Sequence, residues 1–115
     1  MGRLTTHVLD TANGRPGAGI AIELFRLGTE RRLITRTVTN ADGRADAPLL
    51  GDADWRPGRY ELTFAIGDYF AGQLQDLPQP PFLDDVVIRF AMAADEHYHV
   101  PLLVSPWSYS TYRGS

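Results

Sequence analysis

Polar and apolar residues alternate along most of this chain, and a period of two predicts β-strands. In the clearest segment, Tyr60, Leu62 and Phe64 alternate with polar or small neighbours. The same pattern predicts strands over residues 4–9, 20–24, 32–39, 45–50, 60–66, 86–92, 97–104 and 106–113. Residues 67–76 form the only plausible helix, and it is short. Short strands separated by frequent Gly, Pro and Asn turns indicate an all-β protein, an antiparallel β-sandwich.

Composition narrows the class of protein without identifying it. The chain has 115 residues, which favours a single domain over residues 1–115. With 11 Lys and Arg against 14 Asp and Glu, it has no general attraction for nucleic acid. No apolar run is long enough for a membrane span, and the first ten residues lack a signal-peptide pattern. With no cysteine, the sequence predicts no disulfides and is consistent with a cytoplasmic protein.

The last strand bears on assembly. Residues 108–112 contain Tyr, Ser and Thr but no charge and no proline. Monomeric proteins usually protect an edge strand with charged residues or proline. We therefore expect this edge to pair with a second copy, although a loop of the same chain covering it is the simpler alternative.

Three histidines are predicted to lie on outer sheet surfaces. His7 lies opposite the apolar face of its strand, and His97 and His99 share the polar face of theirs. A surface histidine is usually only solvated, but histidine can also act as a general base near neutral pH. Arginine forms forked hydrogen bonds with planar, oxygen-rich ligands. Together these residue types suit hydrolysis of a flat, oxygenated nitrogen heterocycle, without specifying which one.

Four short motifs accompany the histidines. They are Thr6-His7-Val8-Leu9-Asp10, Asp42-Gly43-Arg44, Tyr98-His99-Val100-Pro101-Leu102-Leu103 followed by Ser105-Pro106, and the terminal Tyr112-Arg113-Gly114-Ser115. This set resembles the 5-hydroxyisourate hydrolases, the enzymatic branch of the transthyretin-like family, from the His7 strand to Ser115. The sequence departs from that family mildly at Trp107 and Ser108, where a Tyr and a Gly are common; the larger indole is expected to alter the rim of a cleft.

The resemblance implies a fold, an assembly and a reaction. The fold would be two four-stranded sheets with one short helix, assembled as a homotetramer (a dimer of dimers) with sites at a subunit interface. The reaction would be hydrolysis of 5-hydroxyisourate to 2-oxo-4-hydroxy-4-carboxy-5-ureidoimidazoline in urate degradation, part of purine metabolism. Neither a cofactor nor a metal is implied.

The resemblance also assigns roles to residues. His7, Arg44, His99 and Ser115 would be catalytic, and His7, Arg44, Tyr112, Arg113 and Gly114 would bind substrate. We expect one histidine to activate water and the other to assist proton transfer, with His99 as the first choice for the base. Arg44 would stabilise the oxyanion and Arg113 would orient the heterocycle. Gly114 would give the terminus backbone conformations that other residues avoid.

Other functions stay open at this point. His7, His97 and His99 could form a three-histidine zinc site. A serine nucleophile at Ser105, Ser108 or Ser110 is less favoured because no Gly-x-Ser-x-Gly elbow is present. The chain could instead bind a hydrophobic hormone, as transthyretin does, or act as a β-sandwich interaction module. A hormone channel would favour apolar residues where this chain has His7, Arg44 and His99.

Overall fold

A computed structural model describes residues 1–74 and 76–114 and contains two four-stranded sheets. The strands are β1 (Arg3–Asp10), β2 (Arg15–Pro16), β3 (Ala21–Leu27), β4 (Arg31–Val38), β5 (Gly58–Phe64), β6 (Val86–Met92), β7 (His97–Val104) and β8 (Tyr109–Thr111), and the helix is α1 (Ile66–Gln73). The first sheet has the order β2-β1-β7-β8, and the second has the order β4-β3-β5-β6. This confirms the predicted sandwich of two four-stranded sheets with one short helix.

One strand pairing was not apparent from the sequence. β1 and β7 pair in parallel over their full lengths, from Arg3 opposite His97 to Asp10 opposite Val104. The other strand pairings in the two sheets are antiparallel. Hydropathy alternation shows which face a residue occupies but not which strand lies beside it. The parallel pair therefore became visible only in the structure.

The predicted strand at residues 45–50 is wrong. This segment contacts β1 only at intervals: Leu4 donates its N–H to the carbonyl of Leu50 at 3.0 Å, and His7 bridges to Arg44. Pro48, between these contacts, has no N–H to donate to a ladder. At the end of β1, the two-residue β2 pairs with Leu9 and Asp10; the sequence pattern predicted no strand there. The last strand is also shorter than predicted.

The core lies between the two sheets. Leu4 and Val8 of β1 are fully buried, as are Ile22, Leu24 and Leu62 of the second sheet. The helix α1 follows β5 and buries Ile66, Gly67, Tyr69 and Phe70. In the described part of the chain, no helix is long and apolar enough to cross a membrane.

A buried hydrogen bond joins the helix to the first sheet. The Tyr69 hydroxyl donates to Oδ2 of Asp10 at 2.6 Å, and Asn13 donates its backbone N–H and its side-chain amide to the same carboxylate. Burial alone would raise the pKa of Asp10, but these hydrogen bonds lower it below its usual value. Burial and the Asp10 contact raise the pKa of Tyr69 to about 12. The contact fixes the end of β1, three residues from His7.

Tyr69→Phe should destabilise the fold by about 1–2 kcal/mol at neutral pH, because a buried carboxylate loses a donor. The stabilisation from the ionised Asp10 is present above its unfolded pKa and is lost as the pH falls through the lower folded value. The loss should therefore be clearest near pH 7, measured by urea denaturation. Tyr109→Phe, at an exposed tyrosine on β8, is the matched control and should change stability by less than about 0.5 kcal/mol. Equal losses in the two variants would contradict this assignment.

Candidate active site

The outer face of the β1–β7 pair carries the predicted histidines. Parallel register places Thr5 beside His99 and Arg3 beside His97, so His7, His97 and His99 all project from this face. His7 and His99 are half-buried, whereas His97 is exposed. The rings of His97 and His99 lie 6.4 Å apart between centroids. Two distant motifs thus converge on one surface.

Thr5 was not among the predicted site residues. Its Oγ1 lies 2.8 Å from Nε2 of His97 and 2.8 Å from Nδ1 of His99. The alternation of β1 placed Thr5 on the same face as His7, and that was the only available sequence signal. Its contact with β7 depends on the parallel pairing, which the pattern did not reveal.

A tight turn presents Arg44 beside His7. Gly43 has φ of 75°, and its carbonyl accepts a hydrogen bond from the N–H of Val8 at 2.8 Å. A Cβ at Gly43 would lie 2.4 Å from the Val8 carbonyl oxygen, so both the dihedral and the close approach require glycine. Asn40 braces the turn because its Oδ1 accepts from the N–H groups of Asp42 and Arg44.

The terminal segment covers His99 through its backbone. Gly114 and His99 exchange two hydrogen bonds, at 2.7 Å and 3.3 Å. A Cβ at Gly114 would lie 3.1 Å from both Cβ and Cδ2 of His99. The described glycines with positive φ do not include Gly114. The expectation that Gly114 supplies an unusual backbone dihedral is therefore not met. Instead, the missing side chain lets the terminal backbone approach His99 closely.

Tyr112 and Arg113 lie on opposite faces of the first sheet. Continuing the β7–β8 register places Tyr112 opposite Pro101, on the histidine face, where it is exposed. The Arg113 guanidinium lies on the opposite face, 4.4 Å from the centroid of the Tyr98 ring, and pairs with Glu96 at 2.6 Å. The structure thus does not bring the Arg113 side chain together with the histidines. Ser115 lies outside the described residues.

Burial and nearby positive charge disfavour protonation of His7 and His99. Burial and then the charge of Arg44 lower the pKa of His7 below 6.5, partly opposed by the Asp42 backbone and carboxylate. Burial, Arg44, His7 and His97, in that order, lower the pKa of His99. At neutral pH both imidazoles are therefore unprotonated and available to accept a proton, and a fixed cation lies near both.

The cavity next to Arg44 is small. Its volume is about 150 Å³, and it is lined by Thr5, Thr6, Arg44 and the following residues 45–48. A larger cavity, about 540 Å³, lies between β4 and residues 48–54, and no histidine lines either of these two cavities. Enclosed ligand sites usually measure roughly 300–1,000 Å³. A single chain therefore carries the reactive groups but does not enclose a ligand site around them.

The three histidines do not form a metal site in the described residues. Across residues 1–74 and 76–114, no three His, Cys, Asp or Glu side chains are arranged to hold a metal ion. The observed arrangement instead joins His97 and His99 through Thr5, with His7 on the neighbouring strand next to Arg44.

The fold and the site together define a transthyretin-type β-sandwich with two half-buried histidines and an arginine on one sheet surface. The model of the HIUase/transthyretin family matches residues 4–114, and the chain belongs to this family. The resemblance inferred from the sequence motifs is thereby confirmed.

Relatives from both branches of the family resemble the chain. The 5-hydroxyisourate hydrolase of Mesorhizobium japonicum is 64% identical, over 99% of this chain and 93% of that protein. The solved structure of Klebsiella pneumoniae 5-hydroxyisourate hydrolase is 36% identical with a TM-score of 0.83, over 100% of both chains. Sea bream transthyretin, solved in complex with thyroxine, is 25% identical with a TM-score of 0.87, over 97% of this chain and 94% of that one. Sequence identity thus favours the hydrolase branch.

Replacing Arg44 with Gln should raise the pKa values of His7 and His99, because a nearby positive charge is removed. The pKa of His99 should stay below 6.5, since burial, His7 and His97 still disfavour its imidazolium. The measurement is an NMR titration of the imidazole signals. Arg59→Gln, on β5 of the other sheet, is the matched control. Unchanged His7 and His99 titrations in Arg44→Gln would contradict the placement of that charge.

Proposed function

We infer that this chain hydrolyses 5-hydroxyisourate, an intermediate of urate degradation. The observation that carries this conclusion is the 64% identity, over nearly the full length of both proteins, with a relative of that activity. The chemistry of the surface supports it independently: two neutral imidazoles and a guanidinium suit a lactam hydrolysis. The product would be 2-oxo-4-hydroxy-4-carboxy-5-ureidoimidazoline.

The proposed mechanism begins with water activated by a histidine. His99 accepts a proton from water as the oxygen attacks the lactam carbonyl, and His7 assists proton transfer to the leaving nitrogen. The two roles can be exchanged without altering the balance of the reaction. Arg44 stabilises the developing oxyanion, an effect worth about 3–4 kcal/mol for one well-placed donor. The C–N bond then breaks and a carboxylate forms.

The terminal residues are proposed to complete the substrate site. Gly114 packs against His99, which supports a role in shaping the wall. Tyr112 would contribute its ring or hydroxyl on the same face, and Ser115 would follow as part of the wall. In the described arrangement Arg113 is paired with Glu96, so binding the heterocycle would require this side chain to leave that pair or to serve another subunit.

Assembly is proposed to close the cleft. The cavity next to Arg44, about 150 Å³, is small for an enclosed site and does not reach the histidines, which supports a second copy covering the histidine face. The uncharged β8 edge supports a separate edge-to-edge contact. An apolar recess of about 260 Å³ lies beside that edge, between β6 and residues 111–113. A homotetramer, a dimer of dimers, would use both surfaces.

Location and domain organisation stay predictions. The cytoplasm is the proposed site of action, and residues 1–115 are proposed to work as one domain. The competing function is carriage of an apolar ligand, because sea bream transthyretin binds thyroxine on the same fold. The half-buried His7 and His99 argue against it, because polar histidines suit an apolar channel poorly.

The assay for this function follows the ultraviolet decay of 5-hydroxyisourate generated by urate oxidase, with EDTA present. The wild type should accelerate the decay. His99→Ala should lower kcat by about 10²–10⁴, the usual contribution of a positioned general base. His97→Ala, at the exposed histidine of the same strand, is the comparison and should lose far less. Acceleration abolished by EDTA, or equal losses in the two variants, would contradict the proposed mechanism.

A further inference from the structure

The hydroxyl of Thr5 is shared by two histidines of different exposure. Its Oγ1 is 2.8 Å from Nδ1 of half-buried His99 and 2.8 Å from Nε2 of exposed His97. Both distances are within the range of good hydrogen bonds. The three groups form a continuous chain from the inside of the site to its outer margin. Neither the histidine motifs nor the proposed mechanism accounts for this contact.

The number of available hydrogens restricts the hydrogen-bonded chain His99–Thr5–His97 to two possible directions. A threonine hydroxyl has one hydrogen, and a neutral imidazole has one N–H and one acceptor nitrogen. Thr5 can therefore donate to only one histidine and must accept from the other. If Nδ1–H of His99 donates to Thr5, then Thr5 donates to His97, and Nε2 of His99 keeps a free lone pair. If every bond reverses, Nε2 of His99 carries the proton.

The two directions correspond to the two halves of a hydrolysis. With its Nε2 lone pair free, His99 is a base for water; with Nε2 protonated, it is an acid for the leaving nitrogen. A concerted shift of protons along the chain converts one state into the other. His99 could then act first as the base and later as the acid, because the extra proton is held at the other end of the hydrogen-bonded chain between the two steps.

The surroundings of His99 disfavour a positive charge at the inner end of this hydrogen-bonded chain. Burial, Arg44 and His7 all oppose a charge on His99. His97, at the outer end, is exposed to solvent. Its charged neighbours are Arg3 on the adjacent strand and Glu96, which pairs with Arg113.

We propose that Thr5 is a positioning residue that fixes the His99 ring and carries a proton between His99 and His97 during hydrolysis. This inference rests on the proposed function. As water oxygen bonds to the lactam carbon, its proton goes to Nε2 of His99. The Nδ1 proton of His99 passes to Thr5, and the hydroxyl proton of Thr5 passes to Nε2 of His97. When the C–N bond breaks, the shift reverses and Nε2 of His99 gives the proton to the leaving nitrogen, with His7 assisting that transfer.

The first test replaces the hydroxyl while keeping the shape. Thr5→Val should lower kcat by about 10-fold to 100-fold, the lower part of the range for positioned proton transfer, and should leave KM nearly unchanged. Thr5→Ser retains the hydroxyl and should keep most of the activity. Thr63→Val makes the same change at a half-buried threonine on the other sheet and should behave as wild type. Wild-type kcat in Thr5→Val would overturn the proposal.

A double-mutant cycle separates the relay from simple packing. If Thr5 acts through His97, Thr5→Val combined with His97→Ala should be no slower than the slower single variant. Multiplying losses would overturn the relay. Nitrogen-15 NMR of His99 adds a readout that needs no turnover: the Nδ1–H tautomer should dominate in the wild type and should lose that dominance in Thr5→Val.

The outcomes distinguish the inference from the function on which it rests. A folded wild type that does not accelerate 5-hydroxyisourate decay would overturn the proposed function together with the relay. An active wild type together with wild-type kcat in Thr5→Val would overturn only the role of Thr5.

Discussion

Parallel pairing of β1 with β7 is the constraint on which the rest of the site depends. The two strands are far apart in sequence, and the pairing brings Thr5 against His99 across 94 residues. Their inner faces supply core residues, so the register is fixed by burial: a one-residue slip would send the apolar side chains outward. The same burial therefore orients His7 and His99 outward, with no need for a separate structural device.

The segments that flank the β1–β7 pair on either side contribute to the histidine face. On the β1 side, Gly43 allows a turn to approach Val8 closely enough to present Arg44 beside His7. On the β7 side, Gly114 lies against His99 and bonds to its backbone. Both the space and the positive φ require glycine at Gly43, whereas at Gly114 a Cβ would only make a tight contact with His99. The fixed charge of Arg44 then acts on imidazoles whose burial already disfavours protonation.

Sequence periodicity was sufficient to place the histidines on the correct faces, because alternation in a strand directly reports sidedness. For the same reason it predicted the bounds of β6 and β7 correctly, while β5 begins and ends two residues earlier than predicted. It could not predict the contact of Thr5 with two histidines, which depends on strand order. It also gave no indication that Arg113 packs on Tyr98, because that position follows from the register of the terminal segment. Residues 45–50 looked like a strand, but they meet β1 only at intervals.

The most direct test of the account is a crystal structure of the protein soaked with urate, a stable heterocycle closely related to the substrate. The account predicts urate on the outer face of the β1–β7 pair, in contact with His7, Arg44 and His99 and enclosed by a second copy of the chain. Urate bound only in the larger cavity between β4 and residues 48–54, with the histidine face empty, would contradict it.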